Sequence, residues 1–212
     1  MGQLGDGNSG FDRDTPEAVH GGLAYSTVST GLAAVCTLAL DGAAYCWGRN
    51  DRGQLGDGNV GENRDTPGPV EGGLQYAAIT AGDKHACALT TAGKAYCWGM
   101  NDESQLGDGN AGTDRDVPVP VEGDLEFIAI TAGDFHTCGI TAGHETYCWG
   151  HNGYGQLGDG NLGVDRDAPV LVSAGVEFIA INGGHIHTCA ITSDGAAYAG
   201  ATTKEDRSAM VR

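Results

Sequence analysis

The seven cysteines are the residues whose spacing could support the most specific chemistry in this sequence. Six of them form three pairs in which the second cysteine follows the first by ten positions, whereas Cys189 has no such partner. The pairs are Cys36 with Cys46, Cys87 with Cys97, and Cys138 with Cys148. Cysteines can form disulfides, remain buried thiols or supply sulfur ligands to a metal. The choice among these depends on the elements that position them.

Each cysteine pair brackets a stretch that predicts a β-hairpin. If Cys87 faces Cys97, the hairpin is centred on Ala92, and residues 91–93 form a three-residue connection that ends at Gly93. Such connections commonly end in a residue with left-handed backbone, which glycine adopts without strain. Directly opposed residues in a non-hydrogen-bonded antiparallel pair have Cα atoms about 4.5 Å apart, at the short end of disulfide geometry. The spacing therefore fits a cross-strand disulfide.

Alternation of side chains along the strands assigns the cysteines and the tryptophans to opposite faces. Cys87 and Cys97 share one face of the second hairpin, and Tyr96 and Trp98 point to the other. Neither face is polar, so we expect a sheet that is buried on both sides. In the third hairpin His144 stands where the others have glycine, so either His144 adopts that backbone or the turn shifts.

We predict disulfides at all three pairs, with buried reduced thiols as the alternative. Closing an 11-residue loop contributes about 2.8 kcal/mol by the chain-entropy estimate, less any strain. Disulfides persist in oxidising compartments, yet Met1 is not followed by a basic and apolar leader. A secreted or surface protein truncated at its N-terminus would reconcile these observations. We therefore predict an extracellular or cell-surface location, and the alternative is the cytoplasm.

A histidine precedes the first cysteine of the pair by two positions in three of the four copies. Zinc could draw on His85, Cys87 and Cys97, but a structural zinc site takes four ligands, and the first copy has Ala34 in the histidine position. We predict no metal here, and instead a structural hydrogen bond at the start of a strand. The histidines in this position are His85, His136 and His187.

A glycine-rich acidic loop is the second candidate for metal chemistry. In the first copy Asp6, Asn8, Asp12 and Asp14 alternate in a way that could suit calcium, which takes six to eight oxygen ligands. No shared bidentate glutamate follows, and Asp and Asn also form turns by bonding their own backbone. We predict turns, together with arginine–carboxylate pairing between neighbouring copies. The arginines beside the acids are Arg13, Arg64, Arg115 and Arg166.

All these features recur with a period of 51 residues. The tryptophans that follow this period, which we expect to be structural, are Trp47, Trp98 and Trp149. The period defines one repeat domain (1–205) of units 2–52, 53–103, 104–154 and 155–205, and a polar tail (206–212). Each unit holds about four short strand-like segments and no helical periodicity, which is typical of a β-propeller blade. We therefore predict an all-β protein made of blades of about four antiparallel strands.

Composition excludes several classes of function. Glycine occurs 37 times without a collagen-like triplet, which fits turns between short strands. The net charge is −17, so nucleic acids and anionic membrane surfaces would repel the chain. No apolar run approaches the ~20 residues of a membrane span. We expect no nucleic-acid partner, no membrane insertion and no cofactor.

Three stretches of the second unit carry a family resemblance: Gly53–Gly58, Ala81–Leu89 and Ala95–Asn101. Together they resemble the repeat of the regulator of chromosome condensation family, in a bacterial-type variant with paired cysteines. The resemblance spans about residues 2–200. It implies a propeller, usually of seven blades, that serves as a rigid interaction platform. It also implies descent from a family whose founding member is a guanine-nucleotide exchange factor for a small GTPase.

Four units do not fill a seven-bladed ring. An arc suited to seven blades leaves apolar end faces exposed, so we expect an open arc or a fragment that needs self-assembly or further repeats to close. A tighter four-bladed ring is the alternative. The last unit is also incomplete, because Ala199 and Gly200 replace the second cysteine and the tryptophan.

The sequence contains no nucleophile elbow and no Walker-type loop, so we predict a protein that is not an enzyme. Positions that differ between units on a repeated frame favour a protein-interaction scaffold with an unknown protein partner. These positions are Arg49, Met100 and His151, then Asp51-Arg52, Asp102-Glu103 and Gly153-Tyr154. The alternatives are a guanine-nucleotide exchange factor, which only the resemblance implies, and a carbohydrate-binding module, for which the sequence indicates no exposed aromatic cluster.

Overall fold

The computed structural model describes residues 2–201, so the polar tail predicted at 206–212 lies outside the described residues. Blade 1 consists of β1 (Tyr25–Thr30), β2 (Ala34–Ala39), β3 (Ala44–Gly48) and β4 (Arg64–Pro69). Blade 2 consists of β5 (Tyr76–Ala81), β6 (His85–Thr90), β7 (Ala95–Gly99) and β8 (Arg115–Pro120). Blade 3 consists of β9 (Phe127–Ala132), β10 (His136–Thr141), β11 (Thr146–Gly150) and β12 (Arg166–Leu171). Within the described residues blade 4 has three strands, β13 (Phe178–Gly183), β14 (Thr188–Thr192) and β15 (Ala197–Gly200). The predicted all-β fold of antiparallel blades is confirmed.

Each blade is a simple meander in which consecutive strands pair antiparallel. The first strands of successive blades contact one another, so β1, β5, β9 and β13 form the inner side of an arc. The four sheets do not close into a ring, and the prediction of an open arc is therefore confirmed over the described residues. No helix in residues 2–201 has the length and apolar character needed to cross a bilayer.

The boundaries of the blades differ from the boundaries of the sequence units. The unit 53–103 contributes β4 to blade 1 and β5, β6 and β7 to blade 2. A period gives the spacing of equivalent residues but not the residue at which a sheet begins. Because the fourth strand of a blade comes from the next unit, the chain fastens neighbouring units to each other.

The hairpins have the geometry that their symmetry predicts. Cys87 lies directly opposite Cys97, and the backbone amide of Thr90 donates to the carbonyl of Lys94, which leaves residues 91–93 as the connection. Gly93 has a left-handed backbone with φ of 78°. In blade 3 His144 itself adopts this backbone, with φ of 62°, so the turn does not shift.

The core lies between blades rather than within one blade. Cys36 and Leu38 of blade 1 form one buried cluster with Tyr76 and Trp98 of blade 2. The cysteine face of one blade thus packs on the tryptophan face of the next, and the same arrangement recurs between blades 2 and 3. We call each such contact a seam. Every inner blade is buried on both faces, as the two apolar faces of the hairpins predict.

Candidate functional site

Three disulfides brace the cysteine faces of blades 1 to 3. They join Cys36 to Cys46, Cys87 to Cys97, and Cys138 to Cys148, with Cα–Cα distances of 4.1–4.2 Å. All six cysteines are at most 1% exposed. In blade 4 Ala199 faces Cys189, and the Cys189 thiol is free and exposed. Because the other sulfurs are bonded to each other, His85 has no thiolate neighbours with which to bind zinc.

Buried histidines connect each inner blade to the next one. The Nε2 atom of His85 lies 2.9 Å from the hydroxyl of Thr137, and His136 makes the same contact with Thr188 at 2.8 Å. The hydroxyl of Thr137 donates in turn to the carbonyl of Gln105 at 2.9 Å. The threonine hydrogen is thereby used, so His85 donates its Nε2–H to the hydroxyl oxygen. His187, in the equivalent position of blade 4, is exposed.

Burial keeps these histidines uncharged. Burial, together with a smaller contribution from the charge of His136, lowers the pKa of His85 to about 3. Burial also lowers the pKa of His136 to about 4, with smaller contributions from the charges of His151 and His187. At the first seam the equivalent positions hold Ala34 and Ala86, both buried, so an apolar pair replaces the histidine–threonine pair.

The inner strands approach each other closely along the arc. The hydroxyl of Ser29 accepts a hydrogen bond from the Ala81 amide at 3.0 Å, and the hydroxyl of Thr80 accepts one from the Ala132 amide at 3.0 Å. A Cβ on Gly82 would lie 2.2 Å from the carbonyl oxygen of Gly133 in the next blade. The absence of a side chain at this position therefore allows the seam to close.

The tryptophans of blades 1 and 2 each donate a hydrogen bond to the loop that precedes their blade. The indole of Trp98 donates to the carbonyl of Gln54 at 3.1 Å, and the ring lies against Gly56, where a Cβ would come within 2.7 Å of the indole nitrogen. Trp47 makes the same bond to Gln3 at 2.9 Å, so the N-terminal segment takes the place of a preceding blade's loop. These contacts hold the Gln-Leu-Gly stretches in fixed positions.

Three long loops join the third and fourth strands of blades 1 to 3: residues 49–63, 100–114 and 151–165. The first loop is organised by Asn50, which is fully buried. Its amide donates to the Asn59 carbonyl at 2.9 Å and accepts from the Leu55 amide at 3.1 Å. Asn101 and Asn152 repeat these contacts. Sequence analysis missed the three asparagines, although their spacing of 51 residues marks them.

In each acidic loop an aspartate pairs with the arginine seven residues further along the same copy. The predicted pairing of these arginines between copies is therefore wrong. Asp108 contacts Arg115 at 2.6 Å, and Asp159 contacts Arg166 at 2.6 Å. The arginine begins the fourth strand of the same blade, which brings it back to its own loop. Asp6 with Arg13 and Asp57 with Arg64 form the same ion pair.

The same contacts occupy the oxygens that calcium would need. Burial alone would raise the pKa of Asp159. Hydrogen bonds from the Asn161 backbone and from the side chains of Arg166, Asn152 and Asn161 outweigh this effect and hold the pKa below its ordinary value. The carboxylate is already balanced by a cation and by amide donors, which favours the structural interpretation of the loop.

One edge of the arc carries the three long loops and the turns between the first and second strands. The turns at 31–33, 82–84, 133–135 and 184–186 and the three long loops all lie at this edge, because the first and third strands of a blade run in the same direction. We call this edge the loop face. The positions that differ between units after each Trp-Gly pair all lie within its long loops.

The loop face is charged over blades 1 and 2. Arg52 of the first long loop reaches across the seam and contacts Asp102 and Asp114 of the second, each at 2.9 Å. Arg49 pairs with Asp51 within the first loop at 2.7 Å. All of these side chains are partly exposed, so each pair contributes little to stability. They can contribute more to the recognition of a charged partner.

Over blades 3 and 4 the loop face carries rings instead. The Phe135 ring lies 6.5 Å from the His151 ring and 6.0 Å from the His185 ring, and His151 lies 5.8 Å from Tyr154. His185 also contacts Asp134. We call Phe135, His151, Tyr154 and His185 the ring cluster. Sequence analysis did not foresee it, because its residues come from two turns and one long loop, and the packing of blade 4 on blade 3 brings His185 to the other three.

One group on the loop face has the side chains to hold a metal. Glu103, His151 and Asp165 present ligand atoms that lie within 4.8 Å of one another. Arg52 is the residue equivalent to Glu103 in the preceding copy. Its guanidinium supplies positive charge at the seam between blades 1 and 2, where it contacts Asp114. Two carboxylates and an imidazole are a ligand set that divalent transition metals accept.

Comparisons with known proteins agree on one repeat type. The family model described as "Regulator of chromosome condensation (RCC1) repeat" matches residues 41–89, 92–140 and 144–191. A second model of the same description matches 76–105 and 127–156. The matched segments cover more than half of the chain.

Individual relatives are longer than this chain. The chain is 34% identical over 206 residues to the Ultraviolet-B receptor UVR8 of Arabidopsis thaliana, with 93% of this chain and 46% of the receptor covered. It is 34% identical over 179 residues to the Probable E3 ubiquitin-protein ligase HERC3 of Homo sapiens, with 81% of this chain and 17% of the ligase covered. It thus spans less than half the length of either relative.

The arc also matches a solved structure, that of Kap60 bound to yeast RCC1 (Prp20). The TM-score is 0.74 at 22% identity, with 86% of this chain and 45% of that chain covered. At this identity the match supports the fold and not a shared activity.

Proposed function

The chain belongs to the regulator of chromosome condensation (RCC1) repeat family, and from this premise we propose that it is a non-enzymatic scaffold that binds a protein partner through its loop face. A frame that repeats and loop positions that differ are together typical of interaction platforms. The expectation of a bacterial-type variant stays a prediction, because both curated relatives reported above are eukaryotic.

The observation that carries this proposal is the division of the loop face into two chemical halves. Arg52, Asp102 and Asp114 form a charged network over blades 1 and 2, and the ring cluster covers the adjoining blades. Aromatic residues and arginine are enriched at the energetic centres of protein interfaces, whereas a charged rim contributes specificity. His151 and Tyr154 lie in the long loop that the buried Asn152 organises through hydrogen bonds, which reduces the ordering that these two rings need on binding.

We also propose an oxidising compartment, outside the cell or at its surface. The three disulfides support this location, since cross-links of this kind persist where thiols are not kept reduced. A partner would accordingly be sought among secreted or surface proteins.

The test is affinity capture from a secreted or surface fraction with three matched proteins. The first is the unmodified chain, and the second carries Arg52→Ala, His151→Ala and Tyr154→Ala on the loop face. The third carries Asp124→Ala and Glu126→Ala, two exposed residues near the opposite edge. We expect one protein to be retained by the first and third baits and lost from the second, with reconstitution from purified components. Equal retention by all three baits would contradict the proposal.

Two alternatives are measured alongside. The family resemblance suggests guanine-nucleotide exchange, and acceleration of labelled GDP release from small GTPases would favour it over a scaffold. The ring cluster gives the carbohydrate-binding alternative a specific location, since sugars stack on aromatic rings. Glycan binding that is lost in the loop-face variant and kept in the Asp124/Glu126 variant would favour that alternative.

A further inference from the structure

Blade 4 lacks the indole that fills the seam in each of the other blades. Gly200 lies opposite Thr188 in the register, just as Trp149 lies opposite Thr137 and Trp98 lies opposite Ala86. Trp98 and Trp149 are completely buried. The position therefore loses a large ring from the middle of a packed contact.

The surroundings of the missing ring are retained. Gly158 has the left-handed backbone of Gly107, with φ of 64° against 66°. A Cβ on Gly107 would collide with the Trp149 ring at 2.6 Å, whereas a Cβ on Gly158 would approach only Val172, at 3.2 Å. The glycine that makes room for an indole is thus present in blade 4 without the indole.

Phe178 supplies a second part of the site. It is 3% exposed and occupies the position of Phe127, whose ring lies 5.9 Å from Trp149 in a tilted arrangement. Phe178 keeps the equivalent edge contact with Tyr198, at 5.4 Å between ring centroids. Its face toward the seam has lost the aromatic neighbour that Phe127 has.

The result is a cavity of ≈ 200 Å³ between blades 3 and 4 that is partly open to solvent beside the exposed residues Tyr198 and Ala199. Its apolar walls include Leu157, Val172, Phe178 and Ile181. Gly200 also lines it, and Thr146, Gln156 and Thr188 add polar groups to the lining. Leu157 is 1% exposed, and among residues 2–201 no charged side chain lines the space. An enclosed, fully apolar cavity of about 150 Å³ stays dry and binds benzene, which sets the scale for this site. This larger space has the volume and the lining to hold a bicyclic ring.

We propose that this cavity is a binding site for a neutral, planar aromatic molecule of about the size of indole. The ligand would take the place of the absent tryptophan side chain, with one face on Leu157 and the other near Phe178. The site is distinct from the loop face, because the cavity lies inside a seam. Ligands with a carboxylate are disfavoured, since the part of the lining that the structure describes offers no cation and burial of an unpaired charge is costly.

Affinity would come from burial of the ring rather than from its N–H group. The carbonyl of Gln156 already accepts a bond from the hydroxyl of Thr188 at 2.8 Å. In blade 3 the equivalent carbonyl is used by Thr137, and Trp149 Nε1 has no acceptor among the described residues. Indole and naphthalene are therefore expected to bind comparably, and indole-3-acetate much more weakly.

The experiment measures binding of indole to the full chain by calorimetry and by the shift in melting temperature. We expect a melting temperature that rises with indole concentration, as for a ligand that binds only the native state. Gly200→Trp should raise the melting temperature without ligand and abolish the response to indole. The control Ala197→Trp places a tryptophan at an exposed position of the same strand and should keep the response.

Two results would overturn the proposal. One is a wild-type chain that neither binds indole nor shifts its melting temperature. The other is an equal response in the wild type and in a folded Gly200→Trp variant. If Gly200→Trp does not fold, Gly200→Leu fills part of the same space, and an undiminished response to indole in that variant would contradict the proposal equally.

Discussion

The Nε2 atom of His85 in blade 2 lies 2.9 Å from the hydroxyl of Thr137 in blade 3, and the two residues are 52 positions apart. The contact passes through a fully closed seam, because His85 is 1% exposed and Thr137 is fully buried. An imidazole in such a place is held by one hydrogen bond and by the backbone of Gly82, against which its ring packs. Its protonation state therefore affects the stability of the whole arc.

The stability of the protein should fall as the pH decreases from about 6.5 toward 4. In this window the unfolded chain binds a proton at His85 and at His136, whereas the native pKa values of about 3 and about 4 keep both rings neutral. The state that binds more protons is stabilised as the pH falls, so the free energy of unfolding decreases. Each histidine contributes a slope of at most about 1.4 kcal/mol per pH unit. Urea denaturation at several pH values measures this dependence of the free energy of unfolding on pH.

A double variant isolates one of the two histidines. His85→Ala with Thr137→Ala reproduces the Ala34 and Ala86 pair of the first seam, and it should be less stable but have about half of the histidine-dependent slope. The control is His20→Gln, which removes an exposed histidine and should leave this slope unchanged. A slope equal to that of the wild type in the double variant would contradict the assignment.

Removing one disulfide should cost about 2.8 kcal/mol, because an 11-residue loop is released in the unfolded chain. The variant is Cys87→Ala with Cys97→Ala, and the matched control is Cys189→Ala, which removes a free thiol and should change stability little. Iodoacetamide should label one cysteine of the denatured protein before reduction and seven after it. Seven labels without reduction would mean that the native protein holds thiols.

Gly82→Ala should destabilise the arc although its backbone is not left-handed. The added Cβ would lie 2.2 Å from the Gly133 carbonyl oxygen and 2.6 Å from the His85 ring, so the seam must open. Overpacking of this kind costs about 1–3 kcal/mol. Gly10→Ala is the control, because nothing lies within 4 Å of its added Cβ. Thermal unfolding should show a lower melting temperature for Gly82→Ala than for Gly10→Ala.

Asn101→Ala should loosen the second long loop. The amide of Asn101 accepts from the Leu106 backbone at 3.0 Å and donates to Asp108 at 3.2 Å, and its loss leaves buried groups unpaired. Such losses cost about 1–3 kcal/mol. Thr113→Ala, at an exposed site of the same loop, should have little effect. Faster hydrogen exchange at 100–114 in the first variant alone would show that the loop has loosened.

Millimolar calcium should leave the melting temperature unchanged. The Asp108 and Asp159 carboxylates each bind an arginine at 2.6 Å, so calcium would have to displace a guanidinium. The comparison is made in calcium and in EDTA. A melting temperature that rises in calcium and returns in EDTA would revive the metal interpretation of these loops.

The sequence by itself determined the features that are local in the chain. The pairing of Cys87 with Cys97 follows from hairpin symmetry about Ala92, and the left-handed turn residue His144 was one of two outcomes that this symmetry allowed. The 51-residue period placed the tryptophans, and with alternation it assigned two apolar faces to each blade. These conclusions need only residues that are close along one strand or hairpin.

Stacking of the blades decided the rest. His85 meets Thr137, Phe135 meets His185, and Gly200 leaves a cavity beside Leu157 only because one sheet packs on the next. The arginine pairing was misassigned for a different reason. Asp108 and Arg115 are only seven residues apart, but the period did not reveal that the chain turns back so that Arg115 begins the fourth strand beside its own loop. A repeat states which residues are equivalent. The distance and rotation between neighbouring sheets determine which residues touch, and these depend on the shape of whole faces.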